Sequence, residues 1–264
     1  MEDKEVLIAS LFDFGFEGFI EEDDFMNTYI PAEYYKDSHS EFILTFFHSR
    51  NLNPNLLLSD IQDKNWNLEW EKNFKPVIID NQCAVKASFH KIPDNEYNII
   101  IDPEMSFGTG HHETTRMMIR HILDVNPNGK DVLDVGCGTG VLGILARMMG
   151  AATVTGIDID ENAYKNSLDN FKKNNISEGY HIIMGDISLL HGTSFDIILA
   201  NINRNIILND IQDYYNLLRS PGLLIISGLL LEDEKIIRQA GENSGLHYIN
   251  TTYKNKWISL KLKR

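Results

Sequence analysis

The stretch V-L-D-V-G-C-G-T-G, residues 132–140, joins a short apolar run to three closely spaced glycines, and it is the strongest indication of fold class in this chain. The apolar run is typical of a buried strand, and the following residues, Val141–Met149, are typical of a helix. Glycines at such a turn let the backbone approach a ligand where any side chain would collide. Amide groups at the helix N-terminus then face that ligand. The stretch therefore predicts a ligand-binding turn in an α/β protein.

The spacing of the glycines distinguishes this turn from a dinucleotide-binding fingerprint. That fingerprint is G-x-G-x-x-G, whereas here the glycines alternate from Gly136 through Gly138, and Val141 stands where the third glycine belongs. Asp134, near the strand end, would repel a pyrophosphate but suits a positively charged ligand. Asp158 lies 22 residues beyond Gly136, where a ribose diol meets a carboxylate.

A cationic ligand that carries a ribose and no phosphate matches S-adenosylmethionine, whose sulfonium and ammonium groups are positive. The pair Gly185–Asp186 ends a further apolar run, which would bring Asp186 near the adenine. The residues expected to bind this cofactor are therefore Asp134, Gly136, Gly138, Asp158 and Asp186.

From residue 96 onward, strand-like and helix-like stretches alternate, which predicts a parallel sheet between helices. The runs expected to form strands are Val132–Val135, Val154–Ile157, His181–Met184, Phe195–Ala200 and Leu223–Ser227. The helical stretches are Val141–Met149, Glu161–Asn174, Arg204–Leu218 and Leu231–Glu242. After Gly245, two alternating runs around K-N-K predict a β-hairpin that closes the sheet edge in antiparallel fashion. The fold class is α/β with a Rossmann-like sheet.

The first 60 residues follow another plan and predict a small α+β unit. Lys4–Phe14 and Pro31–Phe46 favour helices, and Phe16–Glu21, Phe25–Ile30 and Leu56–Ile61 favour strands. N-W-N-L-E-W-E-K-N-F-K-P, residues 65–76, then predicts a short helix that stops at its proline. We expect an acidic substrate-recognition domain over 1–61, a linker helix over 62–76 and a catalytic domain over 77–264.

Composition and charge narrow the partners. Residues 1–60 hold thirteen Asp and Glu against three Lys and Arg, within a chain of net charge −14. Such a segment repels nucleic acid and attracts a basic partner, unless it is only a solvated surface. Two cysteines fit a reducing compartment, and no apolar stretch is long enough for a membrane span. We expect a cytoplasmic protein that binds neither nucleic acid nor membrane, with a monomer as the default.

Four motifs together carry a resemblance to a known family. D-P-x-M-S-F-G-T-G-x-H-x-T-T-R, V-L-D-V-G-C-G-T-G, G-I-D-I-D and A-N-I, in this order, resemble the methyltransferases that modify ribosomal protein L11 of the large subunit. The resemblance runs from about Trp66 to the C-terminus and continues more weakly through the N-terminal unit. It implies a ferredoxin-like N-terminal domain that grips the substrate and a class I catalytic domain that uses S-adenosylmethionine. The implied products are trimethylated lysines and a trimethylated N-terminal amine on L11.

The resemblance also implies positions for the site. Thr115, Gly136, Asp158 and Asn201 correspond to the family's cofactor contacts. The F-G-T-G loop, with Phe107, Gly108 and Thr109, would cover the methionine end of the cofactor and line the methyl-transfer channel. A common family version reads A-N-I-L, whereas this chain has A-N-I-N-R at 200–204.

Two further side chains are candidates for the chemistry. Asn201 follows a strand, and its side-chain carbonyl can accept a hydrogen bond from an incoming amine; its alternative role is the N-cap of the next helix. The sequence after it, Ile202-Asn203-Arg204, lacks the Pro-Pro-Tyr typical of enzymes that methylate planar amines, which favours a tetrahedral amine. His112 is either a proton acceptor or part of a helix start. Adjacent histidines at 111–112 without a third ligand at a recognisable spacing do not predict a metal site.

Other functions stay open at this point. The alternatives are an S-adenosylmethionine-dependent methyltransferase of another protein, an RNA or a small-molecule amine, or a module that binds the ligand without chemistry. The charge of the first 60 residues counts against RNA. Asn201 and the intact F-G-T-G loop count against a module without chemistry.

Overall fold

The structure is a computed structural model that describes residues 7–8, 10–12, 14–16, 18–21, 25–59, 75–92, 95–102 and 112–264. The predicted site residues Phe107, Gly108 and Thr109 lie outside these ranges, as does nearly all of the expected linker. The chain divides into two compact units, Met1–Trp70 and Glu71–Arg264.

The N-terminal unit contains a small antiparallel sheet and helices. Strands β1 (Gly18–Glu21) and β2 (Met26–Tyr29) pair with each other, and helix α1 spans Asp37–His48. The described residues among 7–12 are also helical. Helix, strand, strand and helix thus follow in the order of the central elements of a ferredoxin-like unit. A small core joins them, made of Leu7, Leu11, Phe16 and Ile43.

Two predictions for this unit are wrong. Residues 56–59 of the expected strand Leu56–Ile61 form no strand, and Leu57 and Leu58 are 83% and 69% exposed. A strand needs a neighbour to satisfy its backbone groups, and no described strand pairs with this segment. The second helix begins at Asp37 instead of Pro31, because the Nδ1 atom of His39 accepts the Lys36 amide at 2.9 Å and fixes the helix start there.

The second unit begins with a three-stranded sheet that was not predicted from the sequence. β3 (Val77–Ile79) pairs antiparallel with β4 (Cys83–Lys86), which pairs in parallel with β5 (Tyr97–Ile100). Its buried side chains belong to the same apolar cluster as the first helices of the unit. The apolar run V-I-I at 77–79 is too short to predict a strand by itself.

The main sheet has seven strands in the order β11-β12-β10-β9-β6-β7-β8. Its strands are β6 (Asp131–Val135), β7 (Thr153–Asp158), β8 (Tyr180–Met184), β9 (Phe195–Asn201), β10 (Leu218–Leu230), β11 (His247–Lys254) and β12 (Trp257–Lys263). Strands β6 to β10 are parallel, and β12 pairs antiparallel with both β10 and β11. The predicted Rossmann-like sheet with a C-terminal antiparallel hairpin is confirmed.

The helices between these strands also agree with the predictions made from the sequence. They are α2 (Glu113–Val125), α3 (Val141–Met148), α4 (Glu161–Lys173), α5 (Arg204–Leu217) and α6 (Glu234–Asn243), with a 3-10 turn at Leu231–Asp233. Side chains cap three of them: His112 accepts the Thr114 amide at the start of α2, Asp160 accepts the Asn162 amide at the start of α4, and Asn203 accepts two amides at the start of α5. No helix among the described residues is long and apolar enough to span a bilayer.

Both faces of the central strands are buried. Val132 of β6 and Ile197 of β9 belong to one apolar cluster, whereas their successors Leu133 and Ile198 belong to a second. Successive side chains point to opposite faces of a strand, so the two clusters lie on the two faces of the sheet. This burial explains why the strands read as continuous apolar runs.

The strand order creates a binding crevice. Strand β6 lies between β7 and β9, so the connection that leaves β6 and the one that leaves β9 cross to opposite sides of the sheet. In such sheets, ligands bind outside the carboxyl ends of the strands at this switch point.

Candidate active site

The glycine turn after β6 has a backbone that only glycine adopts readily. Gly136, Gly138 and Gly140 have φ values of 64°, 54° and 78°, in the left-handed region that a Cβ atom disfavours. The Gly136 amide donates to the carbonyl of Ile157 at 2.8 Å, which fastens the turn to the end of β7. The turn then leads directly into α3 at Val141.

Asp158 joins β7 to this turn. Its Oδ2 atom accepts the Gly138 amide at 2.9 Å, and its Oδ1 atom accepts the Asp160 amide at 3.0 Å. The predicted binding residues Gly136, Gly138 and Asp158 are therefore brought together at one edge of the sheet. All three line a cleft of about 330 Å³, a volume within the range of small-ligand pockets.

Asp134 lies beneath the turn and does not line that cleft. Its carboxylate is buried, its Oδ2 atom accepts the Gly143 amide at 3.2 Å, and its Oδ1 atom has no hydrogen-bond partner. Burial, together with the nearby charge of Asp158, raises its pKa from 3.8 to about 8. Asp134 therefore lies beneath the glycine turn and hydrogen-bonds to the Gly143 amide. Its position near the strand end had instead predicted a direct contact with the ligand.

A group of buried polar side chains on α4 supports the turn from the same side. The Nδ2 atom of Asn170 donates to the carbonyl of Thr139 at 3.0 Å and to the Oδ1 atom of Asn166 at 2.9 Å. A Cβ atom at Gly140 would lie 2.5 Å from the Oγ atom of Ser167, so only glycine fits there. These residues were not predicted from the sequence, although three polar residues on the inner face of a helix were a signal.

Cys137 within the turn is buried. Burial raises the pKa of its thiol, and the charges of Asp134 and Asp158 raise it further. The thiol is thus kept protonated, so Cys137 is a small buried side chain of the turn and not an activated nucleophile.

Asn201 ends β9 and faces the first turn of α2. Its Nδ2 atom donates to the Oγ1 atom of Thr115 at 3.4 Å, and its Oδ1 atom is buried and has no hydrogen-bond partner among the described residues. Thr115 itself is 1% exposed. A buried carbonyl oxygen without a donor is costly, and it is the group that an incoming amine could satisfy. The N-cap of α5 is Asn203, so the alternative role that the sequence left open for Asn201 is wrong.

His112 is the N-cap of α2. Its Nδ1 atom accepts the Thr114 amide at 3.4 Å and lies 2.8 Å from the Thr114 hydroxyl, and its ring packs edge-on against Trp257 with centroids 4.7 Å apart. Use of the Nδ1 lone pair for capping places the ring proton on Nε2. This geometry favours the helix-start interpretation of His112 over that of a proton acceptor.

Ile202 contacts both the glycine turn and β10, and no local sequence pattern predicted these contacts. A Cβ atom at Gly136 would lie 2.3 Å from the Cγ2 atom of Ile202. A Cβ atom at Gly228 of β10 would lie 2.2 Å from the backbone oxygen of Ile202. Residue 202 is thus packed between the glycine turn and β10, and each contact requires a glycine.

The cleft is lined by acidic groups. Asp186 follows β8 and accepts the amide and hydroxyl of Ser188 at 2.9 and 2.5 Å, and these hydrogen bonds lower its pKa. Together with Asp158, Asp160 and Asp210 it gives four carboxylates among the lining residues, and none of the described lining residues is Lys or Arg. Apolar side chains complete the lining: Ile157, Ile159, Ile187, Ile202 and Ile206. The arrangement suits a flat apolar group attached to a cationic, phosphate-free body.

Comparison with known proteins agrees with this geometry. Residues 12–264 match the family model "Ribosomal protein L11 methyltransferase (PrmA)". The ribosomal protein L11 methyltransferase of Bacteroides fragilis is 40% identical over 260 residues, which cover 97% of this chain and 92% of that protein. The crystal structure of the ribosomal protein L11 methylase from Lactobacillus delbrueckii subsp. bulgaricus has a TM-score of 0.67 at 25% identity and covers 72% of this chain and 99% of that one.

A more distant structure carries a ligand. Magnesium protoporphyrin IX methyltransferase from Synechocystis, with bound S-adenosylmethionine, superposes with a TM-score of 0.51 at 22% identity. It covers 62% of this chain and 86% of that one. At this identity the likeness concerns the fold alone.

Proposed function

We propose, because this chain belongs to the ribosomal protein L11 methyltransferase family, that it transfers methyl groups from S-adenosylmethionine to ribosomal protein L11. The acceptors are the amines of lysine side chains and of the L11 N-terminus, as the resemblance implies. The observation that carries the proposal is the cleft itself. It lies at the switch point of the sheet, and its described lining contains four carboxylates and no basic side chain. Beside it, Asn201 has a buried carbonyl oxygen that no described group donates to.

S-adenosylmethionine fits this lining because it carries two positive groups, a ribose diol and no phosphate. Asp158 is placed to accept hydrogen bonds from the diol, and Gly136 leaves room for close approach of the ligand to the turn. Asp186 and the neighbouring Ile187 are placed for the adenine. When bound, the cofactor supplies a methyl group on a positively charged sulfur, and the protein must hold this group in line with the attacking nitrogen.

Asn201 and Thr115 orient the acceptor. The Thr115 hydroxyl accepts the Nδ2 proton of Asn201, so the Oδ1 atom of Asn201 is directed away from α2. An amine that donates one proton to Oδ1 has its lone pair aligned by that hydrogen bond. Such an interaction suits a tetrahedral amine, and the Asn201-Ile202-Asn203-Arg204 sequence lacks the aromatic that would stack on a flat base.

The acceptor amine must also be neutral. An unperturbed lysine has a pKa of about 10.4, and a poorly solvated site lowers this value because burial disfavours the charged form. The buried oxygen of Asn201 provides a neutral acceptor for one remaining proton. We do not assign the role of proton acceptor to His112, because its Nδ1 lone pair is used in capping α2.

The remaining expectations belong to the same proposal. The domain over 1–61, with its excess of acidic residues, binds the basic substrate by electrostatic attraction. Residues 62–76 join it to the catalytic domain over 77–264. Phe107, Gly108 and Thr109 contribute a loop over the methionine end of the cofactor. We expect a monomer in the cytoplasm, where ribosomal proteins are made.

Intact-mass analysis of recombinant L11 after incubation with the protein and S-adenosylmethionine tests the proposal. Mass shifts in units of one methylene, absent with an Asn201→Ala variant, are the expected result. Tryptic peptides then identify the modified lysines and N-terminus. A wild-type protein that binds S-adenosylhomocysteine yet leaves L11 unchanged would reject L11 as the substrate. Label from tritiated cofactor on another protein, an RNA or a small amine would support one of the alternatives.

A further inference from the structure

The connection between β9 and α5 is short and directly follows Asn201, the last residue of β9. Asn203 caps α5, and its Oδ1 atom accepts the amides of Asn205 and Ile206 at 3.1 and 3.2 Å. Only residue 202 separates the proposed acceptor-binding side chain from this cap. An interaction that fixes Asn203 and Arg204 therefore also limits the position of Asn201.

Arg204 makes such an interaction. Its Nη1 atom donates to the Oδ1 atom of Asp233 at 2.9 Å, and its Nε atom donates to the Oδ1 atom of Asn205 at 3.3 Å. Asp233 is 5% exposed, and its Oδ2 atom accepts the Leu230 amide at 2.8 Å. A buried carboxylate with partners on both oxygens is held rigidly, and it is destabilised when one of them is removed.

Asp233 belongs to the neighbouring connection. It lies in the 3-10 turn that follows β10, and β10 runs beside β9 with Ser227 opposite Asn201. The ion pair thus fastens the connection after β9 to the connection after β10. Both lie at the carboxyl edge of the sheet, where the cleft is located.

The ion pair acts together with a close backbone contact. Gly228 has a φ of 85°, and its missing Cβ makes space for the Ile202 carbonyl, whose oxygen would lie 2.2 Å from such an atom. The side chain of Ile202 meets Gly136 on the other side. A shift of the connection away from Gly228 would therefore move Asn201 and release the contact with the glycine turn.

We propose that Arg204 and Asp233 form a positioning pair, which holds the Asn201–Asn203 connection against Gly228 and so keeps the Asn201 amide beside Thr115. The inference rests on the proposed function, because it assigns the pair to the alignment of the acceptor amine. It also gives a role to the A-N-I-N-R sequence, which differs from the common A-N-I-L version. Arg204 touches no reacting atom in this role; it acts through Asn201.

Steady-state kinetics of Arg204→Met, Arg204→Lys and Asp233→Asn test the pair. Methionine keeps the aliphatic length and removes the charge. We expect Arg204→Met to lower kcat for L11 methylation by about tenfold, since misplacement of a positioning group by 1 Å can cost up to 10²-fold. Affinity for S-adenosylhomocysteine should fall by much less than kcat, because Gly136, Asp158 and Asp186 lie at the ends of other strands. Arg204→Lys should retain most of the wild-type kcat. In an Asp233→Asn background, Arg204→Met should cause no further loss of kcat.

Arg219 provides a matched control at the opposite edge of the sheet. It pairs with Asp131 at 2.7 Å and Asp196 at 2.9 Å, near the starts of β6 and β9, and its side chain is 40% exposed against 46% for Arg204. Arg219→Met should lower the melting temperature and leave kcat unchanged. Equal losses of kcat in both variants, or none in either, would overturn the positioning role.

Amide hydrogen exchange separates this inference from the proposed function, because it requires no acceptor. In Arg204→Met, peptides covering 200–207 should exchange about tenfold faster than in the wild type, whereas Arg219→Met should leave them unchanged. Unchanged exchange rates in Arg204→Met would contradict the positioning role of the Arg204–Asp233 pair. Faster exchange together with a wild-type protein that never methylates L11 would keep the pair and reject the proposed substrate.

Discussion

The Nδ2 atom of Asn201 donates a hydrogen bond to the Oγ1 atom of Thr115 at 3.4 Å, across 86 residues of sequence. The contact joins the end of β9 to the first turn of α2, and the Oδ1 atom of Asn201 is buried with no partner in the part of the chain that the structure describes. Both residues were expected at the cofactor from the family resemblance. Their mutual contact adds that the Thr115 hydroxyl sets the orientation of the Asn201 amide.

Replacement of Thr115 by valine should therefore impair catalysis more than folding. Valine keeps the shape of threonine and removes the acceptor of the Asn201 proton. One hydrogen bond contributes about 1 kcal/mol, so we expect kcat to fall by roughly fivefold. Thr115→Ser retains the hydroxyl and should retain most of kcat. A Thr115→Val enzyme with wild-type kcat would show that the contact does not orient Asn201.

Asp158 should be required for cofactor affinity. Hydrogen bonds from a diol to a charged carboxylate contribute about 1.5–3 kcal/mol, so Asp158→Asn should weaken binding of S-adenosylhomocysteine by about 10- to 100-fold in titration calorimetry. Asp169→Asn is a suitable control, since that carboxylate is 56% exposed on α4 and pairs only with Lys172 among the ion pairs found in the described residues. Equal affinity of the Asp158 and Asp169 variants would argue against the diol contact.

Gly228 should tolerate no side chain. An alanine there adopts an unfavourable φ and also places its Cβ 2.2 Å from the Ile202 oxygen. We expect Gly228→Ala to lower the free energy of unfolding by about 2–4 kcal/mol in urea. Gly192 has nearly the same φ, 86°, but a Cβ added there would meet nothing within 4 Å, so Gly192→Ala should cost only about 1 kcal/mol. Equal costs would show that backbone strain alone accounts for the Gly228 effect.

Asp134 should make stability depend on pH. Its pKa is raised from 3.8 to about 8 in the folded protein by burial, so between these values the folded state binds more protons than the unfolded state. Stability therefore falls as pH rises through this window, at up to about 1.4 kcal/mol per pH unit. In the ligand-free protein, Asp134→Asn should lose less stability than the wild type between pH 5 and pH 8, as measured by urea unfolding. Parallel pH profiles would show that Asp134 is ionised in both states.

Much of the catalytic domain follows from local sequence patterns. The five strand runs and four helical stretches after residue 130 appear within a few residues of their predicted bounds, apart from β10, which extends to Leu218–Leu230. The three-stranded sheet over 77–100 was not predicted, because its strands are only three or four residues long and give a weak periodic signal. The prediction of a strand at Leu56–Ile61 is wrong over its described residues, because an apolar run forms a strand only where a neighbouring strand can pair with it.

The residues of the binding site also fall into two groups: those whose placement was predicted from local sequence and those whose role depends on the folded structure. Gly136, Gly138 and Asp158 come together as predicted, since each position follows from a strand end and a turn geometry that neighbouring residues fix. Asp134 lies beneath the turn, because the orientation of its side chain depends on α3 and the Gly143 amide. His112 acts as a helix cap, a role that depends on where α2 begins.

Local patterns in the sequence predict which segments form strands and helices, and where glycines permit a left-handed turn, because these features depend on side-chain periodicity and backbone sterics within a few residues. The strand order, the contact between Thr115 and Asn201, and the packing of Ile202 between Gly136 and Gly228 arise only in the folded chain. The partner of Arg204 is also decided there. These features join residues far apart in the chain, so they depend on how the connections cross the sheet, and no local pattern contains that information.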